Sequence, residues 1–98
     1  MNWKVIYHPD VTADLEGFGR SEAARIMRVI DERIRHGEPD KIGKPLYGSL
    51  TGYWRLRTGN MRIVYRVIAD RIEVLVLAVG MRRKLEVYLK TGRRSKEL

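Results

Sequence analysis

The fold is decided by residues 52–88, which read GYWRLRTGNMRIVYRVIADRIEVLVLAVGMRRKLEVY. Alternation of polar and apolar residues over this stretch predicts three consecutive antiparallel strands, followed by a basic helical segment. Successive side chains of a strand point to opposite faces of the sheet, so the first two strands place their arginines on one face. The other face is apolar and carries Trp54, Leu56, Met61, Ile63, Tyr65 and Val67. A shift of one residue in the pairing would bury the arginines, so the pattern also predicts which face meets the core.

The N-terminal half predicts one strand and two helices. Residues 2–7 alternate as a strand, and His8-Pro9-Asp10 opens a short helix, because proline is tolerated in the first helical turn. Ser21 is the predicted N-cap of a longer helix that ends at Gly37. One face of that helix is apolar and is expected to cover the sheet: Ala23, Ile26, Met27, Ile30 and Ile34.

Tight turns are predicted where the strands of the second half meet. Gly59-Asn60 separates the two arginine strands, because glycine adopts the positive φ that a short hairpin needs, and Ala69-Asp70 forms the next turn. Residues 72–79 are apolar on both faces after Glu73, which predicts a central strand covered on two sides. We expect the helices on one side, and either the C-terminal segment or a partner on the other.

The C-terminal end predicts a short helix over residues 81–90, with Leu85 and Leu89 on one face, and a frayed, mobile tail over residues 91–98. Together these elements predict one α+β domain spanning residues 1–98. Its small antiparallel sheet of about four strands packs on an N-terminal helical hairpin, in the order β-α-α-β-β-β-α.

Composition narrows the class of protein. With 98 residues and 44% hydrophobic content, the chain can bury one small core. The sequence contains no cysteine, which excludes disulfides and thiolate zinc sites, and no spacing suggests another metal or a cofactor. Neither a signal peptide nor a membrane span of roughly 20 apolar residues is recognisable. We therefore expect a soluble, cytoplasmic protein without a membrane partner.

Net charge is +8 and is unevenly distributed. Residues 1–41 carry seven Lys/Arg and eight Asp/Glu, whereas residues 42–98 carry 13 and four. Such one-sided charge is typical of a protein that binds a polyanion, although it also solubilises a surface. The sheet and the C-terminal segment are therefore the expected nucleic-acid-binding half.

Candidate chemistry gathers in the basic half. A guanidinium binds phosphate in a bidentate fork and stays charged, so Arg55, Arg57 and Arg62 on neighbouring strands suit a phosphodiester that gains charge during cleavage. A second basic group follows the central strand: Arg82, Arg83 and Lys84. The alternative is that sheet arginines merely face solvent.

Proton transfer needs another side chain. His8 and His36 both lie in the acidic half, where we interpret them as capping or surface residues. Tyr88, close to the basic residues, remains as a proton carrier, unless it packs in the core beside Leu85.

The segments KPLYGSL, GYWRLRTGNMRIVYRV and VLVLAVGMRRKLEVY together resemble the RelE branch of the bacterial and archaeal RelE/ParE toxin superfamily. The similarity covers residues 44–88 closely. It implies the toxin of a type II toxin–antitoxin system: a metal-independent endoribonuclease that inhibits translation by cutting mRNA in the ribosomal A site, through attack of a ribose 2′-hydroxyl on the adjacent phosphate. The implied partners are mRNA on the ribosome, ribosomal RNA and an inhibitory antitoxin.

The resemblance also implies roles for single residues. Arg55 would activate or stabilise the reacting ribose and phosphate, Arg62 would stabilise the transition state, and Arg82 would support the phosphate and the leaving oxygen. Tyr88 would stack on the substrate or exchange protons with it, with Lys84 as the reserve base. RNA contacts are expected from Lys44, Arg57, Arg83 and Lys84.

Two other functions stay open. One is a ParE-like toxin with the same fold, which is implied to inhibit DNA gyrase without nuclease activity, because a fold does not fix a function. The other is a simple basic RNA-binding module, for which Tyr53 is the only good stacking residue. The combination of Arg55, Arg62, Arg82 and Tyr88 favours the nuclease over both.

Overall fold

The computed structural model describes residues 2–81 and 86–97. Its strands are β1 Lys4–Tyr7, β2 Lys44–Pro45, β3 Tyr53–Thr58, β4 Met61–Ile68 and β5 Glu73–Met81. Its helices are α1 Val11–Glu16, α2 Arg20–Val29, α3 Pro39–Ile42 and α4 Glu86–Ser95. A π-helical segment, Ile30–Arg35, continues α2, and short 3-10 turns occupy Gly48–Leu50 and Ala69–Arg71.

The predicted α+β fold is confirmed, with a sheet that is one strand larger than expected. Its order is β1-β5-β4-β3-β2, in which β1 runs parallel to β5 and every other pair is antiparallel. Strand β2 and helix α3 lie between Gly37 and the first arginine strand, where no helix or strand was predicted. They span only two and four residues, too few to leave a periodic signal.

Two short connections join β3 to β4 and β4 to β5. The pair Thr58 and Met61 closes the β3–β4 hairpin around Gly59, whose φ of 57° only glycine adopts readily, as predicted. The β4–β5 connection is longer than the predicted Ala69-Asp70 turn, because these two residues form a 3-10 turn with Arg71 and Ile72 follows at a φ of 53°.

Helix α2 and its π-helical continuation cover the apolar face of the sheet. Ile26, Ile30 and Ile34 are fully buried there, as their spacing predicted. Met27 was expected in the same stripe but is 39% exposed, so it lies at the margin. Ser21 is not the N-cap, because α2 begins at Arg20 and its N-cap is Gly19, whose φ is 84°.

Helix α4 covers the second face of the sheet, so the two-sided burial of β5 is satisfied within the chain. Val87 packs against Val64 and Ala78 there. The predicted helix boundaries were wrong, since β5 continues to Met81 and α4 extends to Ser95. Leu89 is 72% exposed rather than packed, and Leu85 lies outside the described residues.

The predicted frayed tail is a further correction. Residues 91–95 belong to α4, where Thr91 and Arg94 are buried. Sequence position suggested fraying, but burial of these two side chains orders the segment. Nowhere in residues 2–81 and 86–97 is a helix both long and apolar enough to cross a bilayer.

Candidate functional site

The sheet face turned away from α1 and α2 carries a group of cationic side chains, which we call the basic face: Lys44, Arg55, Arg57 and Arg62. Their positions follow from strand pairing. Arg55 lies opposite Val64, which packs under α4, and cross-strand partners share a face of the sheet. The alternation predicted from sequence therefore places these residues together.

Cations of the basic face oppose each other in pairs. Arg57 lies directly across from Arg62, and Lys44 lies directly across from Arg55. Like charges at directly opposed positions destabilise a sheet. In the part of the chain that the structure describes, neither Arg55 nor Arg62 forms an ion pair with a carboxylate. An external anion would therefore reduce the repulsion between these cations.

Two donor atoms of the basic face are buried without an acceptor. Among residues 2–81 and 86–97, Nη1 of Arg55 and Nε of Arg62 have no hydrogen-bond partner. A buried donor that is left unpaired costs free energy, on the order of 1–3 kcal/mol, and more for a charged group. Both guanidiniums therefore keep hydrogen-bonding capacity that the described fold does not use.

Tyr88 joins the basic face from α4. Nη1 of Arg62 donates a hydrogen bond to the Tyr88 hydroxyl, and Cζ of Arg62 lies 5.5 Å from the centre of the tyrosine ring. Tyr88 is half-buried and packs beside Val64 and Ala78. Its hydroxyl accepts from the guanidinium, so the phenol O–H remains a donor for a further group. A guanidinium and a phenol hydroxyl are thus in contact on the basic face.

Close packing of α4 on β5 fixes where Tyr88 lies. Its neighbour Val87 is fully buried and contacts the backbone at Gly80. A β-carbon at Gly80 would come within 2.7 Å of the Val87 Cβ, closer than two carbons approach without displacement. Gly80 lies opposite Arg62 in the β4–β5 pairing. The absence of a side chain at 80 therefore lets α4 approach next to Arg62.

The far end of α4 is held by a buried ion-pair network, which we call the Asp14 clamp: Asp14, Lys90 and Arg94. The Arg94 guanidinium donates to both oxygens of Asp14, at 2.7 and 2.9 Å, and to the Leu77 carbonyl at 2.8 Å. Lys90 Nζ lies 3.0 Å from Asp14 Oδ1. The clamp joins α4 to α1 and β5, so it determines the position of the helix that carries Tyr88.

Ionisation of Asp14 is coupled to the clamp. Burial alone would raise the pKa of Asp14, but it is outweighed by the hydrogen bonds that Arg94, the Val79 N–H and Lys90 donate. The pKa of Asp14 is consequently lowered. The same ion pair raises the pKa of Arg94. Asp14 is therefore a carboxylate over the whole neutral pH range, which keeps the clamp closed.

The sequence-predicted site residues divide into two groups. Five of them lie on the described basic face or in contact with it: Lys44, Arg55, Arg57, Arg62 and Tyr88. The predictions for Arg82, Arg83 and Lys84 concern positions outside the described residues. Strand β5 ends at Met81, which pairs with Met61, the residue before Arg62.

Neither histidine belongs to the basic face. His36 is exposed and contacts Asn2, as expected for a surface residue. His8 is buried, contrary to the surface interpretation. Its Nδ1 accepts the Asp10 N–H at 3.1 Å, and its Nε2 lies 3.0 Å from Glu97 Oε2. His8 thereby ties the start of α1 to the residues after α4.

Sequence reasoning missed the Asp14 clamp. A signal was present, because Val87, Thr91 and Arg94 follow the i, i+4, i+7 spacing of one helix face, and all three are buried. Asp14 likewise lies three residues after the buried Val11. Asp14 and Arg94 each lie on an otherwise buried helix face, and a buried charge needs a partner of opposite charge. Their positions therefore predict that the two side chains pair.

Comparison with known proteins gives the family. Residues 5–86 match the model of the family described as ParE toxin of type II toxin-antitoxin system, parDE. A search of curated proteins finds no match.

Several solved structures are similar to this chain. One is the toxin–antitoxin complex RelBE2 from Mycobacterium tuberculosis, with a TM-score of 0.77, 26% identity, and coverage of 84% of this chain and 100% of the other. A mutant of the E. coli toxin RelE in the free state has a TM-score of 0.73 at 21% identity, covering 96% and 98%. The archaeal RelE–RelB complex from Pyrococcus horikoshii has a TM-score of 0.62 at 23% identity, covering 86% and 99%.

The family match extends over most of the chain, and the two structural matches with the highest TM-scores given above extend over 84% and 96% of it. The chain therefore belongs to the ParE toxin family of type II toxin–antitoxin systems, within the RelE/ParE superfamily.

Proposed function

We propose that this toxin is a ribosome-dependent endoribonuclease that cuts mRNA in the ribosomal A site. The reacting 2′-oxygen forms a bond to the adjacent phosphorus, and the bond from phosphorus to the 5′-oxygen breaks. The products are a 2′,3′-cyclic phosphate and a 5′-hydroxyl. Negative charge rises on the phosphate oxygens, the 2′-hydroxyl loses a proton, and the 5′-oxygen gains one.

The contact between Arg62 and Tyr88 is the observation that carries this proposal. Arg62 would neutralise the charge that develops on the phosphate, because a fixed guanidinium needs no reorganisation during the reaction. Tyr88 would exchange the proton, since its hydroxyl accepts from Arg62 and can still donate to a substrate oxygen. Arg55 would bind the reacting ribose and phosphate through its guanidinium, which carries no carboxylate partner within the described residues.

Other cations would hold the RNA strand in place. Lys44 and Arg57 flank the catalytic pair on β2 and β3, and both are exposed. Contacts of this kind position a phosphate backbone without selecting its sequence. We extend the same role to Arg83 and Lys84, and we assign support of the phosphate and the leaving oxygen to Arg82.

We further propose that a cognate antitoxin inhibits the toxin. Solved relatives from M. tuberculosis and P. horikoshii are complexes of a toxin with its antitoxin. An acidic antitoxin segment would be attracted to the cations of the basic face and so exclude RNA by charge. Such a complex would have to cover Arg62 or displace Tyr88.

Inhibition of DNA gyrase is the second candidate. The family match favours it, because the matching model is that of ParE toxins. Against it stands the pairing of Arg62 with Tyr88, which gyrase binding would not require. A gyrase inhibitor should tolerate loss of the Tyr88 hydroxyl.

One experiment in cells separates the two candidates. The chain is induced, and mRNA 5′ ends are mapped against ribosome positions for wild type and Arg62→Ala, with Arg71→Ala as a control for the loss of an exposed arginine in the β4–β5 turn. We expect cuts at the A site with wild type and with Arg71→Ala, and none with Arg62→Ala. Growth arrest with intact mRNA and altered DNA supercoiling would support gyrase inhibition instead.

A further inference from the structure

A groove runs beside Tyr88, on the side of α4 that faces away from the buried residues of that helix. Its volume is about 510 Å³, and one wall is the 3-10 turn with Ser49 and Leu50. The other wall is formed by α4, through Tyr88, Leu89, Gly92, Arg93 and Ser95, and by Lys96 just after it. Grooves of this size hold small ligands or single nucleotides.

The groove combines apolar and cationic surfaces. Leu89 is 72% exposed and has no role in the core. Arg93 and Lys96 are exposed, and neither forms an ion pair within the described residues. Leu89 and Arg93 share one face of α4, because they are spaced at i and i+4, and Lys96 follows directly after the helix. An apolar surface beside unpaired cations suits one unit of a single-stranded nucleic acid, with its flat base and its charged phosphate.

Gly92 lies in the groove wall and keeps it open. A β-carbon at this position would meet nothing within 4 Å, so no close packing in the described fold requires glycine there. Glycine inside a helix is unfavourable relative to alanine. The missing side chain instead leaves the space between Leu89 and Lys96 unfilled.

We propose that this groove binds the nucleotide next to the scissile phosphate, with its base against Leu89 and its phosphate on Arg93 and Lys96. The proposal rests on the proposed nuclease function, because Tyr88 belongs to both the groove and the catalytic pair. Charge complementarity selects RNA as the occupant, since the described cations of the groove have no acidic neighbour paired with them. The groove would then influence which base is accepted beside the cut.

The test fills the groove without removing any catalytic group. Gly92→Phe places a ring where a β-carbon meets only open space, and Ala24→Phe adds the same ring to an exposed position of α2 as a matched control. Cleavage of mRNA on purified programmed ribosomes is measured for both variants, together with base preference beside the cut. Urea unfolding verifies that each variant is folded.

We expect Gly92→Phe to lower kcat/KM roughly tenfold or more, in line with the loss of one base contact, and to change base preference. Ala24→Phe should stay within about twofold of wild type. Unchanged cleavage and preference in Gly92→Phe would overturn the groove proposal while leaving the nuclease intact. A normal rate combined with weakened binding of an antitoxin peptide would assign the groove to protein and also overturn it. A wild-type protein that cuts no mRNA would overturn the proposed function itself.

Should Gly92→Phe not fold, the double variant Arg93→Gln/Lys96→Gln replaces it. These side chains are exposed, so their loss should not affect folding. Reduced kcat/KM in this variant supports the proposal, and a wild-type value contradicts it.

Discussion

Arg94 and Arg62 lie near the two ends of α4, yet their surroundings differ. Arg94 is buried in the last turn of the helix and gives two hydrogen bonds to the Asp14 carboxylate and one to a carbonyl. Arg62 is half-buried on β4, contacts the Tyr88 hydroxyl in the first turn of α4, and faces Arg57 across the strand pair.

The difference teaches how a structural arginine is distinguished from one available for binding. The charge of Arg94 is neutralised inside the protein, so this residue is committed to holding α4. The charge of Arg62 meets a neutral phenol and another cation, so it is available to an external anion. The first arrangement fixes α4 and is costly to break, whereas the second costs stability and suits a site.

The largest effect on stability is expected at the Asp14 clamp. Asp14→Ala leaves Arg94 buried without its counter-charge, which should lower the free energy of unfolding by about 3–5 kcal/mol. Urea unfolding measures it. The double variant Asp14→Leu/Arg94→Met removes both charges and should be closer to wild type. Breaking a buried ion pair is expected to cost more than about 1 kcal/mol. A smaller loss of unfolding free energy in Asp14→Ala would show that Arg94 is not held by its ion pair, and would contradict the contrast with Arg62.

A smaller effect is expected where α4 approaches the sheet. Gly80→Ala would bring a β-carbon to 2.7 Å from the Val87 Cβ, so helix and strand must separate. Overpacking of this kind lowers stability by about 1–3 kcal/mol. Because Tyr88 moves with Val87, cleavage should slow as well, which single-turnover kinetics would detect. Wild-type stability in Gly80→Ala would show that α4 does not depend on this close contact.

Acid should weaken the Asp14 clamp by protonating its carboxylate, but the arginines of the basic face should keep their charge. The pKa of folded Asp14 lies below its ordinary value of 3.8, so its contribution to stability is complete above about pH 3.8 and is lost as pH falls through the folded pKa. Asp14→Asn lacks this contribution. The difference in unfolding free energy between wild type and Asp14→Asn should therefore be constant near neutral pH and shrink below pH 3.8. A difference that grows towards low pH would contradict the ion-pair account.

The smallest effect concerns the open side of α4. Gly92→Ala adds a methyl group that meets nothing within 4 Å, so it should raise stability by about 0.5–1 kcal/mol through helix propensity alone. Thermal unfolding of Gly92→Ala is compared with that of Gly80→Ala. The same added methyl group then tests the open side of α4 and the side that packs on β5. Destabilisation by Gly92→Ala would indicate packing at a position that the structure shows as open.

Much of the fold could be predicted because it is encoded locally. Alternation in β3 and β4 gave the basic face, and the spacing of Ile26, Ile30 and Ile34 gave the helix that covers the sheet. Strand β2 and the parallel pairing of β1 with β5 could not be predicted. The first is too short to be periodic, and the second joins residues about 70 positions apart, a contact that leaves no local signal.

Only the part of the candidate site that local patterns encode could be predicted from the sequence. Residues on strands followed from alternation, whereas α4 depends on a clamp between Asp14 and Arg94, which are 80 residues apart. Sequence suggested a frayed tail at that place, because a basic C-terminal segment without a visible partner reads as solvent-exposed. The partner was a single carboxylate in the acidic half of the chain.

One measurement tests the central claim, that the contact of Arg62 with Tyr88 is the chemical centre of the molecule. Single-turnover cleavage of mRNA on programmed ribosomes is compared for wild type and Tyr88→Phe, with urea unfolding of both. We expect wild type to cut and Tyr88→Phe to be slower by about 100-fold or more, as for loss of a proton-transfer group, with little change in stability. Equal rates for the two proteins would contradict the account.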